Sequence, residues 1–386
     1  MNILMIHPHD LFDRSEPWTI RIKSIARELE KRSHKVRLCY FPLAIKKVDR
    51  PQTIDSIELI PLDRRPSPKA FISNTIKLIE LSRWADVVHF QKCHHYAAIP
   101  AVIAAYATGR PLHYDWDDWE EKIWYESCGR GLHSRFIGLL FKVLERWLPV
   151  LADSVSCSSA YLKGLASGYG ARGDRIFDSP VGADLERFKP DLNGEYVREK
   201  YNIKGELVLY IGQLHGAQYV DLFIKAANTV LHKRTDVTFM IVGEGFLEEE
   251  LREMARDLGM KEKVIFTGAV PHEEVPYHIA SASVCVAPFR DTEVTRCKSP
   301  LKIAEYMASG KAIVASSVGE VRRMAGGVAM LVNPGDYFSL AEEILALLED
   351  GNLRNNLGIY ARKRIERRYN WAATTESILS AYKEIC

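Results

Sequence analysis

The sequence predicts an α/β protein made of two Rossmann-like, doubly wound parallel-sheet domains. Three observations predict it. The chain has 386 residues, enough for two domains that each bury a core. Short apolar runs of strand length alternate with segments whose apolar residues recur at helical spacing, and that alternation builds parallel sheets covered by helices. The series also occurs twice, before and after a Pro/Gly turn at Ser179-Pro-Val-Gly182.

Composition narrows the class. Hydrophobic residues make up 47% and charged residues 26%, ordinary values for a soluble globular chain. The net charge of +2 offers no basic footprint for nucleic acid. Residues 1–180 hold 26 Lys+Arg against 21 Asp+Glu, so the first half is mildly basic and the second acidic. Such a first half permits an anionic membrane surface or acceptor without requiring one. The seven cysteines are scattered, with no C-x-x-C pair, and read as reduced thiols of a cytoplasmic protein. Nothing approaches the eighteen or so consecutive apolar residues of a membrane span.

The first half opens with a strand at Ile3–Ile6, a helix over Pro17–Lys31 (apolar at Ile20, Ile22, Ile25, Ala26 and Leu29) and a strand at Val36–Tyr40. This is a βαβ unit. The loop His7–Glu16 follows the first strand, where ligands of parallel sheets bind. It contains no glycine, so the dinucleotide fingerprint is missing and an NAD or FAD enzyme is not expected. Arg14 and Arg21 are of a type that contacts anions, but are expected to be loop or surface arginines. Strands at Ile57–Ile60 and Val87–Phe90 flank a helix over Ala70–Arg83. His89-Phe-Gln-Lys-Cys-His-His95 matches no zinc spacing and reads as a strand end opening into a site loop. After a strand at Pro111–Tyr114 comes Asp115-Trp-Asp-Asp-Trp-Glu-Glu121, five carboxylates in seven residues. One reading is an Asp-x-Asp motif, Asp115 and Asp117, holding magnesium or manganese on a diphosphate.

Leu132–Leu151 is a long amphipathic segment with Arg130, Arg135, Lys142 and Arg146 among its apolar residues. Its stripe is expected to face the core; the alternative is a bilayer interface. Val155–Ser158 is a further strand, entering a helix at Ser158 or Ser159.

In the second half, strands are expected at Leu207–Ile211, Val237–Val242, Val264–Phe266, Val284–Ala287 and Ala312–Ala315. A helix covers Val220–Leu231, and Gly243-Glu-Gly-Phe246 opens another through Leu258. Gly243 and Gly245 let backbone approach a ligand. The tail from Tyr369 to Tyr382 is helical. Ahead of Ala312 lies a short helix, with Ser299 as N-cap, Pro300 first in the helix and Gly310 as its stop. Lys298 and Lys302 sit beside its positive end, each at a cost of roughly 0.3–1 kcal/mol. A bound anion such as a phosphate offsets that cost. Glu305, one turn on from Lys302, is suited to accept from a sugar diol.

Lys298-Ser-Pro-Leu-Lys-Ile-Ala-Glu-Tyr-Met-Ala-Ser-Gly-Lys311 resembles the donor-binding helix of family-four glycosyltransferases, in the branch carrying "SPLK..EYMA.GK". Pro180, Gly182, Asp184 and Phe188 resemble that family's "PNGVD...F.P", and "Val-Gly-Glu-Gly" and "Phe-Thr-Gly-Ala-Val" look like its C-terminal domain. The resemblance implies a GT-B fold: an acceptor-side domain over 1–178, a nucleotide-sugar domain over 179–368, and a last helix, about 369–386, packing back on the first. It implies retaining, metal-independent transfer, with a nucleotide diphosphate sugar as co-substrate and no other cofactor. A glycan, lipid-linked or small-molecule acceptor is implied, with the protein in the cytoplasm and peripheral contact at the inner face of the membrane as a further option. Carried over by residue, Lys298, Ser299, Leu301 and Lys302 lie at the diphosphate and Glu305 at the ribose. Val270 lies near the base, and Gly212, Gln213, Gly243 and Glu244 complete the donor site. Asp117, followed by Asp118, stands where the family has a histidine beside the transferred sugar. Gln213 and Gln218 replace the family's arginine and lysine, and Cys297 replaces its first glutamate, for which Glu293 is a stand-in candidate. A non-catalytic nucleotide-sugar binder is therefore the alternative function.

Overall fold

The computed structural model describes residues 1–13, 17–43, 52–127 and 131–386. Arg14, Cys128 and Arg130 lie outside them. The chain forms two compact units, Met1–Pro180 together with Trp371–Cys386, and Val181–Asn370.

The first unit is built on β1 (Asn2–His7), β2 (Lys35–Tyr40), β3 (Thr53–Ile54), β4 (Ile57–Pro61), β5 (Val87–Gln91), β6 (Leu112–Trp116), β7 (Ser154–Cys157) and β8 (Ile176–Asp178). Their order is β3-β4-β2-β1-β5-β6-β7-β8, parallel except for the β3–β4 hairpin. The second is built on β9 (Glu206–Ile211), β10 (Val237–Val242), β11 (Val264–Gly268), β12 (Val284–Ala287), β13 (Ala312–Ser316) and β14 (Met330–Val332). Its order is β11-β10-β9-β12-β13-β14, parallel throughout. Each sheet reverses direction beside its first strand, at β1/β5 and β9/β12, which is the Rossmann arrangement with its ligand-binding switch point. Both are the Rossmann-like units of the expected fold class. The apolar runs explain the strands: Ile3, Leu4, Met5 and Ile6 are all fully buried, as in a sheet covered on both faces.

The terminal helix Trp371–Ile385 belongs to the first unit. Its Tyr382 hydroxyl lies 2.6 Å from His89 Nδ1, and Thr374 and Ser377 donate to the carbonyls of Pro180 and Asp178. His89 is thus a buried strand residue.

Four local expectations are corrected. The helix expected to open at Gly243 begins at Glu248. Backbone groups of 243–247 are spent on neighbouring strand ends, Gly243 N–H on Gly268 O, Glu244 O on Leu214 N–H and Leu247 N–H on Leu214 O, so no helical turn forms there. Ser299 is not a cap: the helix is Leu301–Ala308 with Pro300 before it, and Ser299 Oγ accepts instead from Val181 N–H at 3.1 Å. Gly310 does stop that helix, with φ +64° and the paired bonds Gly310 N–H to Met307 O and Lys311 N–H to Tyr306 O. The Leu132–Leu151 helix turns much of its apolar stripe outward, because its inner face is taken by Gly138, Phe141, Glu145, Leu148 and Pro149. Arg21 is no surface arginine but is buried against Asp115. The helices Tyr337–Glu349 and Gly351–Arg367 were not foreseen, although Asp336 and Asp350 cap them and gave a readable signal.

Candidate functional site

Both units gather polar side chains at the C-terminal ends of their strands, beside the switch point. In the first, the sheet order sets β1, β5 and β6 side by side. His7 ends β1, Gln91 ends β5, and Asp117 follows β6. His7 Nδ1 donates to Gln91 Oε1 (2.7 Å), and Gln91 Nε2 donates to Asp117 Oδ2 (3.2 Å). The relay fixes the glutamine amide, since its oxygen can only accept and its nitrogen only donate. Arg21 holds Asp115 through Nε and Nη2 at 2.8 and 2.7 Å, and its Nε lies 3.8 Å from Asp117. Ser156 donates to the same Asp115 carboxylate at 2.6 Å.

Asp115 is consequently held well below the usual carboxylate range: burial alone would raise it, and the Arg21 charge overcomes that. Asp117 behaves oppositely. Burial and the Asp118 charge push it up to about 7, against the pull of Arg21 and Lys92. With Asp115 fully enclosed and spent on Arg21, Asp115 and Asp117 do not form a shared pair of open metal ligands. Among the described residues, no group of three or more His, Cys, Asp or Glu is placed to hold a metal ion.

Asp118 and Glu120 receive Lys92 Nζ at 3.0 and 2.6 Å. Lys92 has φ +65°, a left-handed backbone rare outside glycine, at the end of β5 where the chain turns into the site loop. Four of the five carboxylates of 115–121, those of Asp115, Asp117, Asp118 and Glu120, are therefore held by named basic or amide partners. Glu121 is the most enclosed after Asp115. Sequence reasoning missed His7, Gln91 and Lys92; their places at the ends of β1 and β5 were the available signal.

In the second unit the site is built where β9, β10 and β11 end. Gly212 has φ +149°, a backbone that favours glycine, and a Cβ there would lie 2.7 Å from Lys302 Nζ, which reaches the strand end at this point. A side chain at Gly243 would run into the carbonyl of Gly212. Lys302 Nζ donates to the Tyr210 hydroxyl and to Gln218 Oε1, both at 2.9 Å, and lies 4.1 Å from the Tyr210 ring centre. Burial, with Lys298 nearby, holds Lys302 well below the ordinary lysine range. Burial and the same two lysines push His215 down to about 4. Lys298 thus lowers both Lys302 and His215, and Lys302 lowers His215 further, so the group forms a site that an anion would relieve.

Glu305 is 5% exposed, and its Oε1 lies 3.0 Å from His272 Nε2. His272 Nδ1 is 2.8 Å from Arg187 Nη1. A guanidinium only donates, so Nδ1 accepts and the proton sits on Nε2, facing Glu305. Gln213 and Leu301 are half-buried beside these groups in sequence, Glu244 is exposed, and Val270 is half-buried two residues past β11. Cys297 is enclosed and donates to Val294 O, whereas Glu293 is exposed in the first turn of the Glu293–Cys297 helix.

Residues 19–182 match the family model described as a glycosyl transferase 4-like domain, and residues 205–350 match glycosyl transferases group 1. Over 206 residues, 53% of the chain, it is 27% identical to the alpha-D-kanosaminyltransferase of Streptomyces kanamyceticus, of which the match takes in 51%. Over 243 residues, 60% of the chain, it is 29% identical to the GDP-mannose-dependent alpha-(1-6)-phosphatidylinositol monomannoside mannosyltransferase of Mycolicibacterium smegmatis, taking in 63% of it. The chain thus spans about half to under two thirds of the length of these curated relatives. Among solved structures, Anabaena HepE in complex with UDP-glucose is similar with a TM-score of 0.78 at 18% identity, all of both chains being covered. The Rickettsia africae glycosyltransferase is similar with a TM-score of 0.75 at 16% identity, covering 100% of this chain and 98% of its own. Likeness at such identity speaks for the fold. With both domain matches taking in most of the sequence, the chain belongs to the GT-B-fold glycosyltransferases that pair a 4-like domain with a group 1 domain.

Proposed function

We propose that the protein transfers a sugar from a nucleotide diphosphate sugar to a glycan, lipid-linked or small-molecule acceptor, with retention and without a metal, in the cytoplasm. The first unit is the acceptor side and the second the donor side. The observation that carries this is the grouping of the basic side chains Lys298, Lys302 and His215, with Lys302 reaching the end of β9 at Gly212. It supports Lys298, Lys302 and the amides after Ser299 as the diphosphate site, and a place for the chain in the SPLK branch. Lys302 comes from a different element than the family's two cations. It lies against Gln218, which occupies the position of the family's lysine. Glu305, kept in place by His272, is the ribose acceptor group. Gly243, Glu244 and Val270 lie toward the base, with Gln213 and Leu301 lining the donor.

Lys302→Ala is expected to cost about 1.5–3 kcal/mol in binding a nucleoside diphosphate, the range for hydrogen bonds to charged groups, and little for the bare nucleoside. Calorimetry with both ligands checks this; equal losses would make the lysine structural. Glu305→Ala is expected to weaken the nucleoside diphosphate by a similar amount but leave its 2′,3′-dideoxy analogue unaffected, the helix itself tolerating alanine. Equal affinity of mutant and wild type for the ribose form would remove Glu305 from the site.

The replacement of two family cations by Gln213 and Gln218 favours a second reading, a nucleotide-sugar binder without turnover. Binding of a donor with neither transfer nor hydrolysis, across a broad acceptor panel, would establish it.

A further inference from the structure

We propose that the outward face of the Leu132–Leu151 helix docks the first unit onto an anionic lipid surface. Leu132, Phe136, Leu139, Val143, Trp147 and Val150 follow one another at intervals of three or four residues, which puts them on one stripe. All are exposed, Leu132 by 86%, Phe136 by 65%, Trp147 by 55% and Leu139 by 54%. Stripes of this size rarely face water on a soluble monomer without a partner.

The helix cannot roll this stripe inward. Glu145, on the opposite face, accepts from the backbone N–H groups of Glu120 at 2.7 Å and Glu121 at 3.1 Å, at the start of the Glu120–Ser127 helix. Trp124 Nε1 donates to Ser134 O at 2.8 Å. Gly138 has no side chain, and the Tyr125 ring occupies the space where one would be. Rotation would break the Glu145 cap and expel that ring.

Charge selects the occupant. Arg135, Lys142 and Arg146 are exposed along one border of the stripe. Glu145 is the helix's single carboxylate, and it points inward. An apolar stripe carrying Trp, Phe and Leu, bordered by basic residues alone, is the pattern of a helix lying in a membrane interface. A symmetric contact between two copies of this face would bring no carboxylate to the three basic residues, since Glu145 is buried. No helix among the described residues is long and apolar enough to cross a membrane, so the contact lies on the surface.

The test is co-sedimentation of the full chain with phosphatidylcholine vesicles, with and without phosphatidylglycerol, at low and high salt. The full chain is expected to bind the phosphatidylglycerol vesicles, more weakly as salt rises. Phe136→Ser/Leu139→Ser/Trp147→Ser is expected to lose at least about tenfold in partition. Arg135→Gln/Lys142→Gln/Arg146→Gln is expected to lose on the order of a hundredfold on anionic vesicles, since each basic residue near such a surface counts for roughly a factor of five. Both variants change exposed positions and keep the melting temperature. No binding by the wild type, or equal binding by the apolar variant, overturns the proposal. So does a wild-type dimer that the apolar variant converts to monomer. Partition is read without any sugar donor. Vesicle binding by a protein that transfers no sugar would leave this surface standing and count only against the transferase reading.

Discussion

Asp117→Asn is expected to slow sugar transfer by roughly 10²–10⁴-fold, the range for losing a positioned proton-handling group, with donor affinity nearly unchanged. The proposed donor groups belong to the second unit, whereas Asp117 belongs to the first. Gln91, itself oriented by His7, and Arg21 hold the Asp117 carboxylate from two sides. A carboxyl near 7 exchanges its proton at working pH, as a group that accepts from a sugar or acceptor hydroxyl must. Only the ionised carboxylate can accept that proton, so wild-type turnover is expected to rise with pH through about 7 and the residual rate of the variant to be flat there. The same shift has a stability side. The native carboxyl titrates near 7 and the unfolded one near 4, so the native state binds the extra proton between them, and stability falls as pH rises through that window. Asp117→Asn should therefore unfold at a higher temperature than wild type above pH 7 and show no such gain below pH 4. Wild-type transfer rates in the variant would remove Asp117 from the mechanism.

Arg21→Met should destabilise the first unit by about 3–5 kcal/mol, the cost of stranding one partner of a buried ion pair. Asp115 is fully enclosed, and its other side-chain contact of note is the neutral Ser156 hydroxyl. Without the guanidinium it must be buried as an unpaired charge or take up a proton. The depressed Asp115 pKa means that the pair contributes stability above about pH 4, lost as pH falls through the native value. Urea titration from pH 8 down to pH 2 should show that contribution being lost below about pH 4 in wild type and not in Arg21→Met. Adding Asp115→Asn should recover much of the loss, because the stranded charge is gone. A full-sized loss in the double variant would point to packing around Arg21 instead of charge.

Local pattern carried much of the architecture. Val220–Leu231, Val237–Val242, Val284–Ala287 and Leu132–Leu151 have the same limits in the sequence pattern and in the fold. Each depends on periodicity and end signals within a few turns, which a sequence displays directly. The short helix 301–308 shows the limit of such signals. Ser299 has the right type and spacing for a cap, yet its hydroxyl accepts from Val181, 118 positions away. A long-range donor outcompeted the local one.

By itself the sequence determined two doubly wound domains, because buried parallel strands must be continuous apolar runs and their crossovers must be amphipathic. It also marked Lys298, Lys302 and Glu305 by their places at the start of a short helix and one turn into it, and Asp117 by family resemblance. Only the tertiary structure decided what those groups touch. Arg21 meets Asp115 across 94 positions, Lys302 meets Gln218 across 84, and His7 reaches Asp117 through Gln91. These contacts follow from strand order, a property of the whole sheet that no local window encodes. The Leu132–Leu151 helix makes the same point for surfaces. Its sequence shows apolar residues on more than one side, and periodicity cannot say which side is covered. Glu145 capping a neighbouring helix and Gly138 admitting Tyr125 settle that, and they turn Phe136, Leu139 and Trp147 toward solvent.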